Sequence, residues 1–454
     1  MTNKRPSTTS SAAPSKKRAP PSEETGTSSG GPGSLDVAIP SEATPAQILS
    51  MAKHELSLSF SLSPESNSNS NSNADFDDVR AVAQKLLEET IAKLESANPV
   101  LETDDFAAAA AESESDVTTY SDAAVELAAL VGLDELARRI LGALKALEAA
   151  NPDLAFVRGR AAVEVLAIEN KLNLRSVPKE DFDQEEDDED DNDEELDENH
   201  QESEEETRKR MDQVELLQSA RSSFITSISL LKKEANEFTL RQVSIAQLLR
   251  SYALAVRHSD RKSPIPVSIL TFALSIVNTP FDPAAPLIPD QTSQDSLSST
   301  KASLLYYLAR FRAAGGDEEG ATQDIKECIR AFSFVVDDEL RNQEMVGQAY
   351  LFLSTVTPND TLAIAAYSKG TALLRAVLAS DPLKKSLKAQ LEQLGATSDE
   401  ADEEEELLDE DGNVFDLEAE IERDEDDGRS DEDDDDDEDD GEDEEGDEDW
   451  EEDD

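Results

Sequence analysis

Cysteine is nearly missing from this chain. Cys328 is the only one in 454 residues, so no intramolecular disulfide and no cysteine-built zinc site can form. Histidine is scarce too. His54, His200 and His258 are the whole set, and none stands at metal-ligand spacing from another. Motifs of the G-x-G-x-x-G, Walker A and G-x-S-x-G types are absent. Long apolar runs are lacking as well. The longest, Ile265 to Val277, carries Ser268, Thr271 and Ser275 within its 13 residues, whereas a membrane span needs roughly 20 apolar residues. Near the start, Lys4 and Arg5 lead into Ser, Thr and Pro rather than into the apolar core of a signal peptide. No stretch alternates polar and apolar residues as a half-buried strand would. These absences predict a soluble intracellular protein that is not an enzyme, holds no metal or cofactor and enters no membrane.

Base is the other shortage. The chain has 104 acids against 41 Lys and Arg, a formal net charge of −63. Two segments hold nearly all of it. Residues 179–206 contain 19 acids and one Lys, net −18, and residues 399–454 contain 39 acids and two Arg, net −37. The remainder carries only −8, so the chain reads as a mildly acidic protein with two polyanions attached. Phosphates would be repelled and there is no basic stripe, so direct nucleic-acid binding is disfavoured. The runs can act as solubilisers, as binders of basic proteins or as covers for a surface.

What is present is helical periodicity. Residues 1–73, rich in Ser, Pro, Gly, Thr and Asn, bury too little apolar area to offset ordering and read as a disordered arm. Within it, Pro45 to Leu62 could make a local helix or strand, and reads as weakly ordered. Residues 74–177 carry helices with apolar residues three and four apart, such as Leu133, Leu136, Ile140 and Leu144. Two of them close on LESANP and LEAANP, at Pro99 and Pro152, and a later one closes on LASDP at Pro382. Residues 178–210 read as an acidic, extended insertion, because like charges at i,i+4 oppose a helix. Residues 211–395 resume the helical rhythm, with a proline-rich and then polar loop from Pro280 to Thr300. Residues 396–454 read as an acidic disordered tail. The fold class is all-α, built from antiparallel helix pairs stacked as a solenoid. Cys328, between Ile325 and Ile329, is predicted to be a core residue. His258 is predicted to favour the C-terminal end of its helix dipole.

Two sets of residues suggest address and docking. Lys4 and Arg5, then Lys16, Lys17 and Arg18 after ten intervening residues, have the layout of a bipartite nuclear localisation signal. In the tail, Leu407, Leu408, Val414, Phe415, Leu417 and Ile421 are apolar islands among acids. They either dock onto a partner or fold back onto the helices.

The helical region is similar in part to the tetratricopeptide pattern. Gly347 and Tyr350 stand three apart and Ala363 and Tyr367 four apart, as in its consensus. The loop TVTPND is about four residues too long, Gly370 stands where Ala is usual, and a spacing near 53 exceeds the usual 34. The start of the chain, KRP followed by a Ser/Ala/Pro spacer and KKRAP, resembles the fungal enhancer of translation termination family, as do the helices broken by an acidic insertion. That resemblance implies a non-catalytic nuclear regulator needed for correct translation termination, with the cytoplasm also open to it. It implies a prolyl-hydroxylase-type, iron- and 2-oxoglutarate-dependent dioxygenase as partner, with the termination machinery, and a role in oxygen-responsive gene expression and transcription. Nuclear import receptors and histones are further candidate partners. No binding residue is carried over from the family. The candidate surface is the helix pairs from Leu304 to Leu378, with Tyr306, Tyr307, Arg310, Tyr350 and Tyr367 on it. The alternative is an acidic tetratricopeptide-like histone chaperone.

Overall fold

A computed structural model describes residues 39–61 except 41, 72–174 except 104, 204–281 except 233 and 262, 290–333, 339–395, and residues 417, 419 and 421. Among the described residues there are 14 α-helices and no strand. The fold is all-α and solenoid-like, and most helices pack chiefly on their chain neighbours, while α4 packs chiefly on α2 and α6.

Helix α1 (Pro45–Ser61) lies inside the stretch that composition assigns to a disordered arm. Its start explains the difference. The Thr44 amide donates to Gln47 Oε1 at 2.9 Å, and the Gln47 amide to Thr44 Oγ1 at 3.3 Å. This is a capping box with Pro45 as the first helical residue. Ile48, Ala52 and Leu56 then fall on one face and are buried against α2 (Ser72–Ala97).

After a short 3₁₀ segment come α3 (Phe106–Glu112) and α4 (Glu114–Val131). Neither start is marked by apolar periodicity. Asp105 accepts from the Ala108 amide, and Ser113 from the Asp116 amide, so side-chain caps set both boundaries. Helix α5 (Asp134–Ala143) is followed by α6 (Pro152–Glu169). Here the NP ending shows its purpose. Asn151 Oδ1 accepts from the amides of Asp153 and Leu154, so it opens α6 rather than merely closing what precedes it.

Helix α7 (Glu204–Leu230) begins inside the stretch read as an extended acidic insertion to residue 210. Its sequence opens with Glu204, Glu205 and Glu206. Each stands four residues before Arg208, Lys209 or Arg210, the favourable order for acid–base pairs on a helix. The charge at this edge therefore supports a helix.

Then follow α8 (Ala235–Ser259), α9 (Ile265–Val277), α10 (Gln291–Ala314), α11 (Glu318–Ser333), α12 (Glu339–Val356), α13 (Asp360–Ser380) and α14 (Lys385–Gln393). The polar stretch up to Thr300, read as loop, forms the first turns of α10. Asp290 caps it by accepting from the Ser293 amide at 2.8 Å, a bond that also holds its carboxyl below the ordinary value. Helix α13 is long and apolar enough by composition to span a membrane, but its apolar residues Leu374 and Val377 are buried with Leu351 of α12 and Leu387 and Leu391 of α14.

One apolar cluster runs from Ala128 of α4 to Phe311 of α10. It includes Leu166 of α6 and Phe224 of α7, so the residues on either side of the acidic insertion share a core. Polar bonds pin the same place. Ser227 Oγ donates to the Pro152 carbonyl at 2.7 Å, and Arg241 Nη1 to the same oxygen at 3.0 Å. A second cluster is built from α10 to α13. Between α12 and α13, Gly370, the departure from the tetratricopeptide pattern, has a steric cause. A methyl group on it would stand 2.9 Å from the Gly347 carbonyl oxygen and 3.0 Å from the Leu351 nitrogen, so the backbones of α12 and α13 touch where both residues lack a side chain.

Candidate partner-binding surface

The five residues proposed for the Leu304–Leu378 surface divide three ways. Tyr306 and Tyr350 are 8% and 3% exposed and belong to the second core cluster. They are supports for the surface rather than parts of it, a correction to the sequence reading. Their rings supply the area that closes this core. Tyr306 meets Phe352 edge-on at 6.2 Å, and Lys369 Nζ lies 5.2 Å from the centre of the Tyr350 ring. Tyr307 and Arg310 are half-buried, and the Arg310 guanidinium lies 5.8 Å from the Tyr306 ring centre. Tyr367 is exposed, with its hydroxyl donating to the Leu394 carbonyl at 2.9 Å. The accessible members are thus Tyr307, Arg310 and Tyr367.

The tail reading is resolved at two residues. Leu417 and Ile421 are helical and buried in the α10–α13 cluster, and Arg330 of α11 donates to the Ile421 carbonyl. This is the fold-back alternative. Leu407, Leu408, Val414 and Phe415 lie outside the described residues, as do Lys4, Arg5, Lys16, Lys17 and Arg18.

A charged recess has no counterpart in the sequence reading. A cavity of 360 Å³ opens between α1, α4, α6 and α8, lined by Lys53, Glu126, Arg160, Glu164 and Leu248 among others. Arg160 Nη2 lies 2.7 Å from Glu126 and 3.8 Å from Glu164, and Nη1 lies 3.2 Å from Asp122. Burial works against the charge of Arg160. Glu126, Asp122 and Glu164 outweigh it and hold the guanidinium above its ordinary value. Lys53 reaches Asp122 from α1 at 2.5 Å. These residues are dispersed over four helices, so no single local pattern announces them. The local sign is charge within the apolar run of α6, where Arg158, Arg160 and Glu164 interrupt it.

Cys328 is fully buried in the second cluster, and burial followed by Asp324 and Glu327 pushes its thiol up. His258 is exposed in the last turn of α8. Asp324 itself is 7% exposed and 3.0 Å from Arg312 Nη1. Burial outweighs that guanidinium, Glu327 and Asp317 add to it, and the carboxyl is pushed up to about 7. A raised carboxyl favours the folded state fully below its unfolded value near 4 and loses that contribution as pH rises toward 7. Asp324→Asn should therefore flatten the fall in melting temperature between pH 5 and pH 8. The two polyanions titrate alike in both proteins, so they cancel in the comparison. Parallel melting curves for wild type and variant would remove this assignment. No known protein family, no curated protein and no solved structure matches the chain.

Proposed function

We propose that this chain is a non-catalytic nuclear adaptor that works through its helical surface, in the manner of tetratricopeptide-like helix pairs. The observation that supports the adaptor class is the seat of Leu417 and Ile421, where helices α10–α13 hold a short helical segment. A surface that seats one such segment is suited to protein recognition by the helix-in-groove mode. The choice of partner rests on the resemblance to the enhancer of translation termination family. It names an iron- and 2-oxoglutarate-dependent dioxygenase, correct translation termination as the outcome, and oxygen-responsive gene expression as the setting. The iron chemistry would be the partner's.

The test is a complex of purified full-length chain with such a dioxygenase. A stoichiometric complex that persists at about 0.5 M salt, where exposed charge pairs are screened, supports the reading. Loss of the chain's gene should raise stop-codon readthrough. No complex together with unchanged readthrough would overturn it. Replacing Lys16, Lys17 and Arg18 by Ala should abolish nuclear accumulation, and a variant that stays nuclear would remove the localisation argument. The second reading, a histone chaperone, is favoured by the net −18 of residues 179–206, most of which lie between α6 and α7. It predicts salt-sensitive core-histone binding that disappears with that segment.

A further inference from the structure

Leu417 and Ile421 stand one helical turn apart and are 9% and 3% exposed, while Ala419 between them is exposed. They join Tyr306, Ile325, Ile329 and Phe332 in one apolar cluster. Arg330 donates to the Ile421 carbonyl, and Lys326, one turn earlier on the same side of α11, is buried. In the sequence the two apolar residues alternate with Asp416, Glu418, Glu420 and Glu422. Arg330 of α11 thus holds the backbone of a segment whose sequence places acids on either side of each apolar residue.

We infer that this seat is a docking groove for a partner's short helix, carrying two apolar residues four positions apart among acidic ones, and that the chain's own tail holds the groove closed. Residues 396–416, 21 in number, connect α14 to the seat. A tethered occupant acts at an effective concentration on the order of millimolar. A free helix of the same kind must displace it, so the tail sets a threshold for partner binding. The inference deepens the adaptor reading by naming the chemistry of the docked segment.

The experiment uses full-length chain and a fluorescein-labelled peptide of residues 412–426. Leu417→Asp with Ile421→Asp should vacate the groove, and the peptide should then bind this variant at least about tenfold more tightly than it binds wild type. Adding Arg330→Glu to the variant should abolish the binding, and a scrambled peptide of the same composition should not bind. If the aspartate pair fails to fold, by circular dichroism, the milder Leu417→Ala with Ile421→Ala should give the same order with a smaller gain. Equal affinity for wild type and variant, absence of binding to the vacated chain, or equal binding of the scrambled peptide would each overturn the inference. No partner protein enters this assay. Its failure removes the groove and leaves the dioxygenase complex to its own test.

Discussion

Gly370→Ala should destabilise the C-terminal helices, whereas Gly142→Ala should stabilise the protein. The chemical change is the same, and both residues are helical. Intrinsic propensity credits alanine over glycine with about 0.8–1 kcal/mol in a helix. At Gly142 of α5 a methyl would meet nothing within 4 Å, so the credit should be realised in full. At Gly370 it would meet two backbone atoms of α12, at 2.9 and 3.0 Å, and Leu351 Cγ at 3.1 Å. Backbone atoms within a helix cannot rotate aside as a side chain can, so α12 and α13 must separate. Overpacking of this kind costs about 1–3 kcal/mol and sometimes more. With the propensity credit subtracted, the net loss should be roughly 1 kcal/mol, or about 2–4 °C in melting temperature. Helical arrays of stacked neighbours transmit such damage mainly to adjacent elements. Amide exchange should therefore quicken in α12, α13 and α14 and stay unchanged in α4 to α6. A neutral or stabilising Gly370→Ala would show that the two backbones do not touch.

The helical class and most helix interiors were legible because they rest on local periodicity. Leu133, Leu136, Ile140 and Leu144 announce α5 and the turn after it without help from the rest of the chain. The errors fall at boundaries, where a single side chain decides and periodicity is silent. Thr44 and Gln47 define α1, and Asp290 turns a polar stretch into the start of α10. All are cap signals present in the sequence, outweighed by the composition around them. At α7, counting charge hid its order, since Glu before Arg or Lys at i,i+4 supports a helix and acid alone opposes it. The Arg160 recess was legible only as charges interrupting an apolar run, because it is assembled from α1, α4, α6 and α8. Tyr306 and Tyr350 were misassigned to the surface, because periodicity gives a helical face but not whether a neighbour covers it. At Leu417 and Ile421 the sequence showed apolar residues in acid, and only the folded helices could choose between docking outward and folding back.

Phe224→Ala should be more damaging than Gly370→Ala, and it tests whether the acidic insertion divides the protein. Phe224 lies on α7, after the insertion, and is fully buried. Its ring packs against α6, before the insertion. A methyl on Gly159 would stand 2.6 Å from Phe224 Cε1, and the Phe156 ring centre is 6.2 Å away. The ring therefore fills the space that glycine leaves on α6. Truncation removes the buried ring and leaves a cavity bounded by rigid helices, a loss of about 3–5 kcal/mol. At about 2–4 °C per kcal/mol in a domain of this size, the melting temperature should fall by roughly 10 °C. A protease site placed near residue 190 of the full-length chain separates this from a two-domain arrangement. After cutting, the wild-type fragments should stay together on gel filtration, because α6 and α7 share a core and the Ser227 and Arg241 bonds to the Pro152 carbonyl. The cut Phe224→Ala chain should separate into two. If the cut wild-type chain separates as readily, the residues on either side of the insertion form two bodies, and the continuous core from α4 to α10 is wrong.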